Sequence, residues 1–440
     1  MSRPPIPVLL VTIYGLWIAA GTVLLKLPIS ATVPVSWMEA LFTATSAVTV
    51  TGLVVLDTGS DFTRFGQGVI MLLIQFGGLG LITFAVFVLA SLGQRIDVLK
   101  RRYLAEELNL DDLGALIPFV RNILGIFVVC ELIGMALIAT QFVPEMGWND
   151  GLWHSLFHSI SAFNNAGFST FGSSLMEWSG NPVIMLTITA QFILSGLGFL
   201  VLSEVLRERP GFGGRWSRLT LHTRLMLIGT PVLIAVGVVG YALLEWNNPA
   251  TLAPLSTSHK LLASWFEGVT PRTAGFNATD TSQHTDATAL LTMALMFIGG
   301  GATSTAGGIK VTTAFVLLLA TVAFFRRTGV MEFQNHEVGP AQGLKVMALL
   351  FVSLLLIFAA LFILVAAHEF DFIDATFEVV SAFGTVGLSR GATGDLNTVG
   401  QAAIIVVMFL GRLGPLTLGF LLATKTAPRL HYPEGTVYLG

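Results

Sequence analysis

The stretch IGGGATSTAGGIKVTTAF, residues 298–315, sits inside a run, 287–325, that is otherwise apolar enough for a membrane helix. Five glycines, Gly299, Gly300, Gly301, Gly307 and Gly308, enclose Ala302, Thr303, Ser304, Thr305 and Ala306, and Lys310 follows. Glycines free backbone amides to cradle an anion, so one reading is a phosphate-binding loop to which Lys310 adds charge. Such a loop needs glycine directly before its lysine, Ser or Thr directly after it, and a strand-to-helix turn. Here Ile309 precedes Lys310, Val311 follows it, and the surroundings are apolar helix. The other reading is a break in a membrane helix that lines an aqueous path, since irregular backbone survives at membrane depth only where protein covers it or water reaches it. A glycine-kinked helix packed on its neighbours is the plainer form of such a break.

Composition places the whole chain in a membrane. Hydrophobic residues make up 54% of 440, charged residues 11%, and the mean hydropathy is +0.78; soluble domains carry charge on roughly a quarter of their residues. The single cysteine, Cys130, lies in an apolar run, which excludes an intrachain disulfide. Runs at 8–25, 68–92, 116–142, 183–206, 225–244, 287–325, 346–367 and 402–424 each approach or exceed the ~20 residues needed to cross a bilayer. The first has no clear small-residue cleavage site and reads as a retained span rather than a signal peptide. The expected fold is an all-α integral membrane protein with eight transmembrane helices.

Four shorter, more polar segments separate these spans in pairs: ALFTATSAVTVTGLV, SLFHSISAFNNAGFS, SWFEGVTPRTAGFN and ATFEVVSAFGTVGLS. In three of them Phe42, Phe157 and Phe377 stand ten residues before Gly52, Gly167 and Gly387, with Ser46, Ser161 and Ser381 six before. The third is one residue shorter, aligning Phe266 and Thr270 with Gly275. Such self-similarity implies four copies of a unit of span, short helix, glycine strand and span. The copies are expected at 1–110, 111–217, 218–338 with the broken sixth span, and 339–440 with the C-terminal tail. Basic residues gather at Arg95, Lys100, Arg101 and Arg102, at Arg207, Arg209, Arg215, Arg218 and Arg224, at Arg326, Arg327 and Lys345, and at Lys425 and Arg429. By the positive-inside rule these loops and both termini are cytoplasmic. The glycine segments therefore enter as re-entrant loops from the acidic outer face.

Four glycine strands around one axis would present rings of carbonyl oxygens, the arrangement that replaces the hydration shell of potassium. The candidates are Thr49, Val50, Thr51 and Gly52; Asn164, Asn165, Ala166 and Gly167; Arg272, Thr273, Ala274 and Gly275; and Gly384, Thr385, Val386 and Gly387. A glycine that merely closes a helix is the alternative at each position taken alone.

The four repeats, the STAGGIK break and MFLGRLGPLTLGF at 408–420 resemble the Trk/Ktr/HKT superfamily of potassium transporters over essentially the whole chain. Among its branches the chain is most similar to the membrane subunit of a bacterial Ktr system. The N-terminus leaves no room for the extra helix pair of the Trk branch, and YPEGTVYLG resembles the Ktr ending; STAGGIKV itself is nearer the Trk form. The resemblance implies a pseudo-tetramer with one central selectivity filter for potassium. It implies that the loop from Gly299 to Gly308 obstructs the pore until it moves, with Arg412 projecting beside it and Lys310 just past the break. It implies potassium as the transported ion, with a sodium requirement left open and no organic cofactor on this chain. It further implies membrane lipid, a homodimer, and a cytoplasmic ring of nucleotide-binding regulatory subunits of the RCK/KTN type as partners, no nucleic acid, and a multi-pass place in the bacterial cytoplasmic membrane.

An arginine such as Arg412 in mid-span costs at least ~2.5 to 3.5 kcal/mol unless paired or hydrated, so it marks a functional or structural site. Arg272 and Glu267, in the third segment, are expected to pair structurally. His154 and His158 share a helical face without a further ligand, so no transition-metal site is expected. No nucleophile-and-base set stands out, and the chain is expected not to be an enzyme. A sodium-coupled carrier for a small solute is the alternative, because broken helices and repeats build carriers too; such carriers commonly pair two broken helices, whereas one break is legible here.

Overall fold

The computed structural model describes residues 6–79, 116–208 and 216–414. The expected span portions 80–92 and 415–424, the basic positions Arg95, Lys100, Arg101, Arg102, Arg209, Arg215, Lys425 and Arg429, and the tail lie outside the described residues.

Helices begin where the sequence supplies a cap. Ser36 Oγ accepts from Glu39 N (3.2 Å) while Glu39 Oε2 accepts from Ser36 N (2.6 Å), a reciprocal box that starts the helix Trp37–Val48. Asn181, Thr285 and Asn397 cap the helices Pro182–Leu197, Asp286–Phe297 and Thr398–Leu413. Among the described residues three helices are long and apolar enough to cross a bilayer: Arg121–Phe163, Leu221–Glu245 and Pro340–Ala367. The pair Pro182–Leu197 and Phe199–Glu208 would make a fourth, bent by 95°. Val11–Leu25, Asp286–Phe297, Val311–Arg326 and Thr398–Leu413 are apolar but shorter. On Pro340–Ala367, Leu344, Phe351, Leu355, Phe358 and Phe362 form one exposed stripe, with Phe362 77% exposed. An apolar face of that extent belongs against lipid.

Four short helices carry the glycine segments. Three are Trp37–Val48, Thr257–Val269 and Phe372–Gly384. The remaining one is the second half of Leu116–Phe163, which is interrupted at Gly147 (φ 80°, ψ 170°) just after Pro144. Each buries its phenylalanine, Phe42, Phe157, Phe266 or Phe377, to 1% exposure or less.

Two features depart from the sequence expectation. The run 183–206, read as one straight span, breaks at Gly198 (φ 97°, ψ 141°). A Cβ there would lie 2.5 Å from Ala302 O, so the turn needs glycine both for its dihedrals and for the approach of the 299–308 loop. The backbone groups freed at the bend are taken up by that loop: Gly301 N donates to Gly196 O (2.8 Å) and Phe199 N donates to Thr303 O (3.2 Å). The fold is also not wholly helical. Met331–Phe333 and His336–Val338 form a small antiparallel hairpin whose turn residues Gln334 and Asn335 both have positive φ, at 47° and 63°.

Candidate functional site

The four glycine segments share one backbone geometry. Each leaves its short helix through a left-handed residue, Val50 (φ 50°), Asn165 (φ 56°), Thr273 (φ 70°) or Thr385 (φ 51°). One ordinary residue follows, then a second positive φ at Gly52 (91°), Gly167 (68°), Gly275 (77°) or Gly387 (94°). Three β-branched residues in the left-handed region cost of order 1–3 kcal/mol each, and such strain persists only where the surroundings over-determine it. Here the preceding helix does so: Thr51 N, Ala166 N and Val386 N donate to the carbonyls of Ser46 (2.8 Å), Ser161 (2.8 Å) and Ser381 (2.9 Å). The shorter third copy omits a residue from this exit, so Ala274 N reaches Thr270 O (3.0 Å) instead. The hydroxyls repeat too. Ser46 Oγ and Ser381 Oγ accept from Gly52 N and Gly387 N (both 3.1 Å), while Ser161 and Thr270 donate to Phe168 O (2.7 Å) and Phe276 O (2.5 Å).

The segments close on one another in chain order. A Cβ on Gly52 would lie 2.4 Å from Ala166 O; on Gly167, 2.9 Å from Ala274 O; on Gly275, 2.2 Å from Val386 O; and on Gly387, 2.2 Å from Thr51 O. Each glycine therefore abuts the carbonyl that precedes the next one, and the fourth abuts the first. The result is a ring of backbone in which no side chain fits at the glycine level.

Signals missed in the sequence lie one residue past each phenylalanine, at Thr43, His158, Glu267 and Glu378. His158 Nε2 bonds Ser169 Oγ (2.9 Å), Glu267 Oε1 accepts from Ala278 N (2.6 Å) and Thr279 N (2.8 Å), and Glu378 accepts from Thr393 Oγ1 (2.6 Å) and from Ser389. His158, Glu267 and Glu378 thus tie the strand beyond their glycines back to the helix in three of the four copies. Thr43 Oγ1, in the first copy, is buried with no hydrogen-bond partner. Glu267→Ala is expected to destabilise the protein by ~1–3 kcal/mol for each of the two N–H groups it orphans. A thermal midpoint in detergent equal to that of the unmodified protein would remove this tie from the account.

Arg272 and Glu267 do not pair with each other, contrary to expectation. Arg272 donates to Thr230 O (3.2 Å) and Gly299 O (3.1 Å), because its place at the helix exit turns it toward the loop while Glu267 faces the strand beyond Gly275. Beside Asn164, Glu131 is buried and accepts from Asn164 Nδ2 (3.1 Å) and Gln75 Nε2 (3.3 Å). Beyond Gly387, Arg390 donates to Asp374 Oδ1 (2.6 Å) and His284 O (2.9 Å), linking the fourth copy to the third. Burial holds the His284 ring well below its usual pKa, so it stays neutral beside Arg390.

The 299–308 loop packs against the inner residues of three strands. Its ends are joined by a parallel bridge between Ile298 and Ile309, with Gly299 N donating to Ile309 O (2.8 Å). A Cβ on Gly307 would lie 2.2 Å from Thr385 Oγ1, and one on Gly299 3.5 Å from Thr273 Cγ2. Three cations hold loop carbonyls: Arg272 on Gly299 O, Lys310 on Ala306 O (2.6 Å), and Arg412 on Thr305 O. Arg412 also donates to Gly77 O (2.5 Å), bridging the loop to the helix Arg64–Leu79.

Proteins of similar sequence are transport proteins rather than enzymes. The family model TrkH, cation transport protein, matches residues 15–429, and the chain belongs to that family. It is 45% identical over 427 residues to Ktr system potassium uptake protein B of Bacillus subtilis (strain 168), covering 97% of this chain and 95% of that protein. The protein of the same name from Vibrio alginolyticus is 42% identical over 421 residues, 96% of this chain and 92% of the relative. The potassium/sodium uptake protein NtpJ of Enterococcus hirae is 37% identical over 92% of this chain and 90% of its own length. In fold the chain resembles the crystal structure of the potassium transporter TrkH from Vibrio parahaemolyticus, with a TM-score of 0.73 at 21% identity, covering 95% of this chain and 84% of that one.

Proposed function

We propose that this chain is the ion-translocating membrane subunit of a Ktr-type potassium uptake system. The closed ring of four glycine segments is the observation that carries the reading, because rings of carbonyls substitute for the hydration shell of a monovalent cation. In this reading eight spans in four repeats, at 1–110, 111–217, 218–338 and 339–440, surround one pathway through the bacterial cytoplasmic membrane, with both termini inside. The backbone at 49–52, 164–167, 272–275 and 384–387 selects potassium. The loop 299–308, held by Lys310 and Arg412, gates the path. The relatives' designation as parts of a Ktr system supports a separate partner, here a cytoplasmic ring of nucleotide-binding subunits, with the chain itself a homodimer. The Enterococcus relative's designation as a potassium/sodium uptake protein keeps a role for sodium in view.

The bend at Gly198 gives the described residues a second interrupted helix, which removes one ground for setting aside a sodium-coupled carrier. The four-membered ring keeps the channel-like reading first, since a carrier of paired broken helices has no need of it. Expression in a cell stripped of its own potassium uptake, with and without a regulatory ring, should restore growth on limiting potassium. Rubidium tracer should accumulate in preference to sodium. Protein that reaches the membrane but takes up sodium alone would overturn the filter and favour the carrier.

A further inference from the structure

Asn165 is fully buried and sits at φ 56°, two residues before Gly167. The sequence reading asked of it only a backbone carbonyl, yet its side chain joins three other elements. Nδ2 donates to Thr273 Oγ1 (3.0 Å), the residue at the same position in the next strand. Oδ1 accepts from Ser195 Oγ, just before the Gly198 bend, and from Thr305 Oγ1 (2.9 Å) within the loop. The corresponding positions in the other strands are Val50, which offers no side-chain hydrogen bond, Thr273, and Thr385, whose buried Oγ1 has no hydrogen-bond partner. Arg272 also links a strand to the loop, but at Gly299, the root fixed by the Ile298–Ile309 bridge. Thr305 lies in the loop's interior, away from that root, and Arg412 holds its carbonyl.

We propose that Asn165 is a positioning residue through which the 299–308 loop sets the geometry of the ring, so that ion preference depends on whether Thr305 is docked. The inference rests on the filter-and-loop reading above. With Thr305 in place, Oδ1 has two donors on one side, which aims Nδ2 at Thr273 and holds the left-handed exits of the second and third strands together. When the loop withdraws, Oδ1 keeps Ser195 alone, the amide gains rotational freedom, and the tie between the two strands slackens. A buried hydrogen bond is directional and of modest net strength, which suits a reversible link of this kind.

The test is rubidium and sodium tracer uptake by the full-length protein in liposomes, comparing Thr305→Val, Thr305→Ser, Asn165→Ala and the double variant Asn165→Ala with Thr305→Val. Thr305→Val, outside the ring and nearly isosteric, should lower the rubidium-to-sodium uptake ratio by about three- to tenfold, the weight of one net hydrogen bond. Thr305→Ser, which returns the hydroxyl, should restore the ratio. The double variant should be no worse than Asn165→Ala, because the two act through one bond. Thr305→Val that changes the rate but leaves the ratio intact would overturn the coupling and leave Thr305 as a fastener of the loop. So would additive losses in the double variant. Failure of the filter itself reads out separately, as an unchanged ratio on substitution of a ring glycine.

Discussion

Gly387→Ser lowers the preference for potassium over sodium, by about tenfold for every ~1.4 kcal/mol of differential ion binding it removes. The side chain would begin 2.2 Å from Thr51 O and 3.0 Å from Gly52 Cα, so it meets backbone rather than a side chain that can swing away. The residue also holds φ at 94°, where an L-amino acid is strained by of order 1–3 kcal/mol. The overlap is relieved by a shift of the fourth strand away from the first and the strain by a rotation of its backbone, and either changes the spacing of the carbonyls. Discrimination between two bare monovalent cations depends on that spacing and on the field of the oxygens. Competition of sodium and potassium against rubidium uptake, corrected for the amount of protein in the membrane, measures it. An unchanged ratio would place selectivity somewhere other than the ring.

Arg412→Gln raises the rate of uptake by the subunit on its own. Two carbonyls from separate elements, Thr305 O and Gly77 O, accept from this guanidinium, so it fastens the loop to the helix Arg64–Leu79. Hydrogen bonds from a charged donor contribute ~1.5–3 kcal/mol. Loss of that amount from the closed arrangement corresponds to about 10- to 150-fold in the closed-to-open ratio. In the proposed pathway, removing a fixed positive charge at this place would also lower the barrier to cations. Lys310 still holds Ala306 O, so the loop is loosened rather than lost. Shortening the loop between Gly300 and Thr305 is expected to raise flux as well, but it also strips Gly196 O and Phe199 N of their partners. Initial rubidium uptake in liposomes without regulatory subunits decides the matter. A rate equal to that of the unmodified protein would make Arg412 a tie between helices and not part of a gate.

The ring glycines stand out in the sequence because four copies at matched spacing repeat one demand, a positive φ at a tight approach that leaves glycine as the residue that fits. Gly198 has the same requirement, set by the carbonyl of Ala302, but it occurs once and no repeated spacing marks it. Val50, Thr273 and Thr385 are β-branched residues whose own preference would keep them out of the left-handed region, and hydrogen bonds back to the preceding helix override that preference. Arg272 shows the limit of charge pairing by proximity in sequence: in a dry interior its donors went to two carbonyls, Thr230 O and Gly299 O. The polar position after each phenylalanine was readable in principle, as Thr43, His158, Glu267 and Glu378 stand in register, but their residue types differ and only contacts reveal the task that the last three share.

Because the ring is written four times along one chain, a substitution enters it once. In an assembly of identical subunits every change is imposed on all quarters together, and the intermediate designs are never sampled. Here Val50, Asn165, Thr273 and Thr385 fill one position with three different side chains, so the wall of the proposed pathway can be asymmetric where a loop must seat against one side and still be uniform at the glycines, where an ion would be held. Four copies in one chain thus separate two demands that a homotetramer must satisfy with a single sequence.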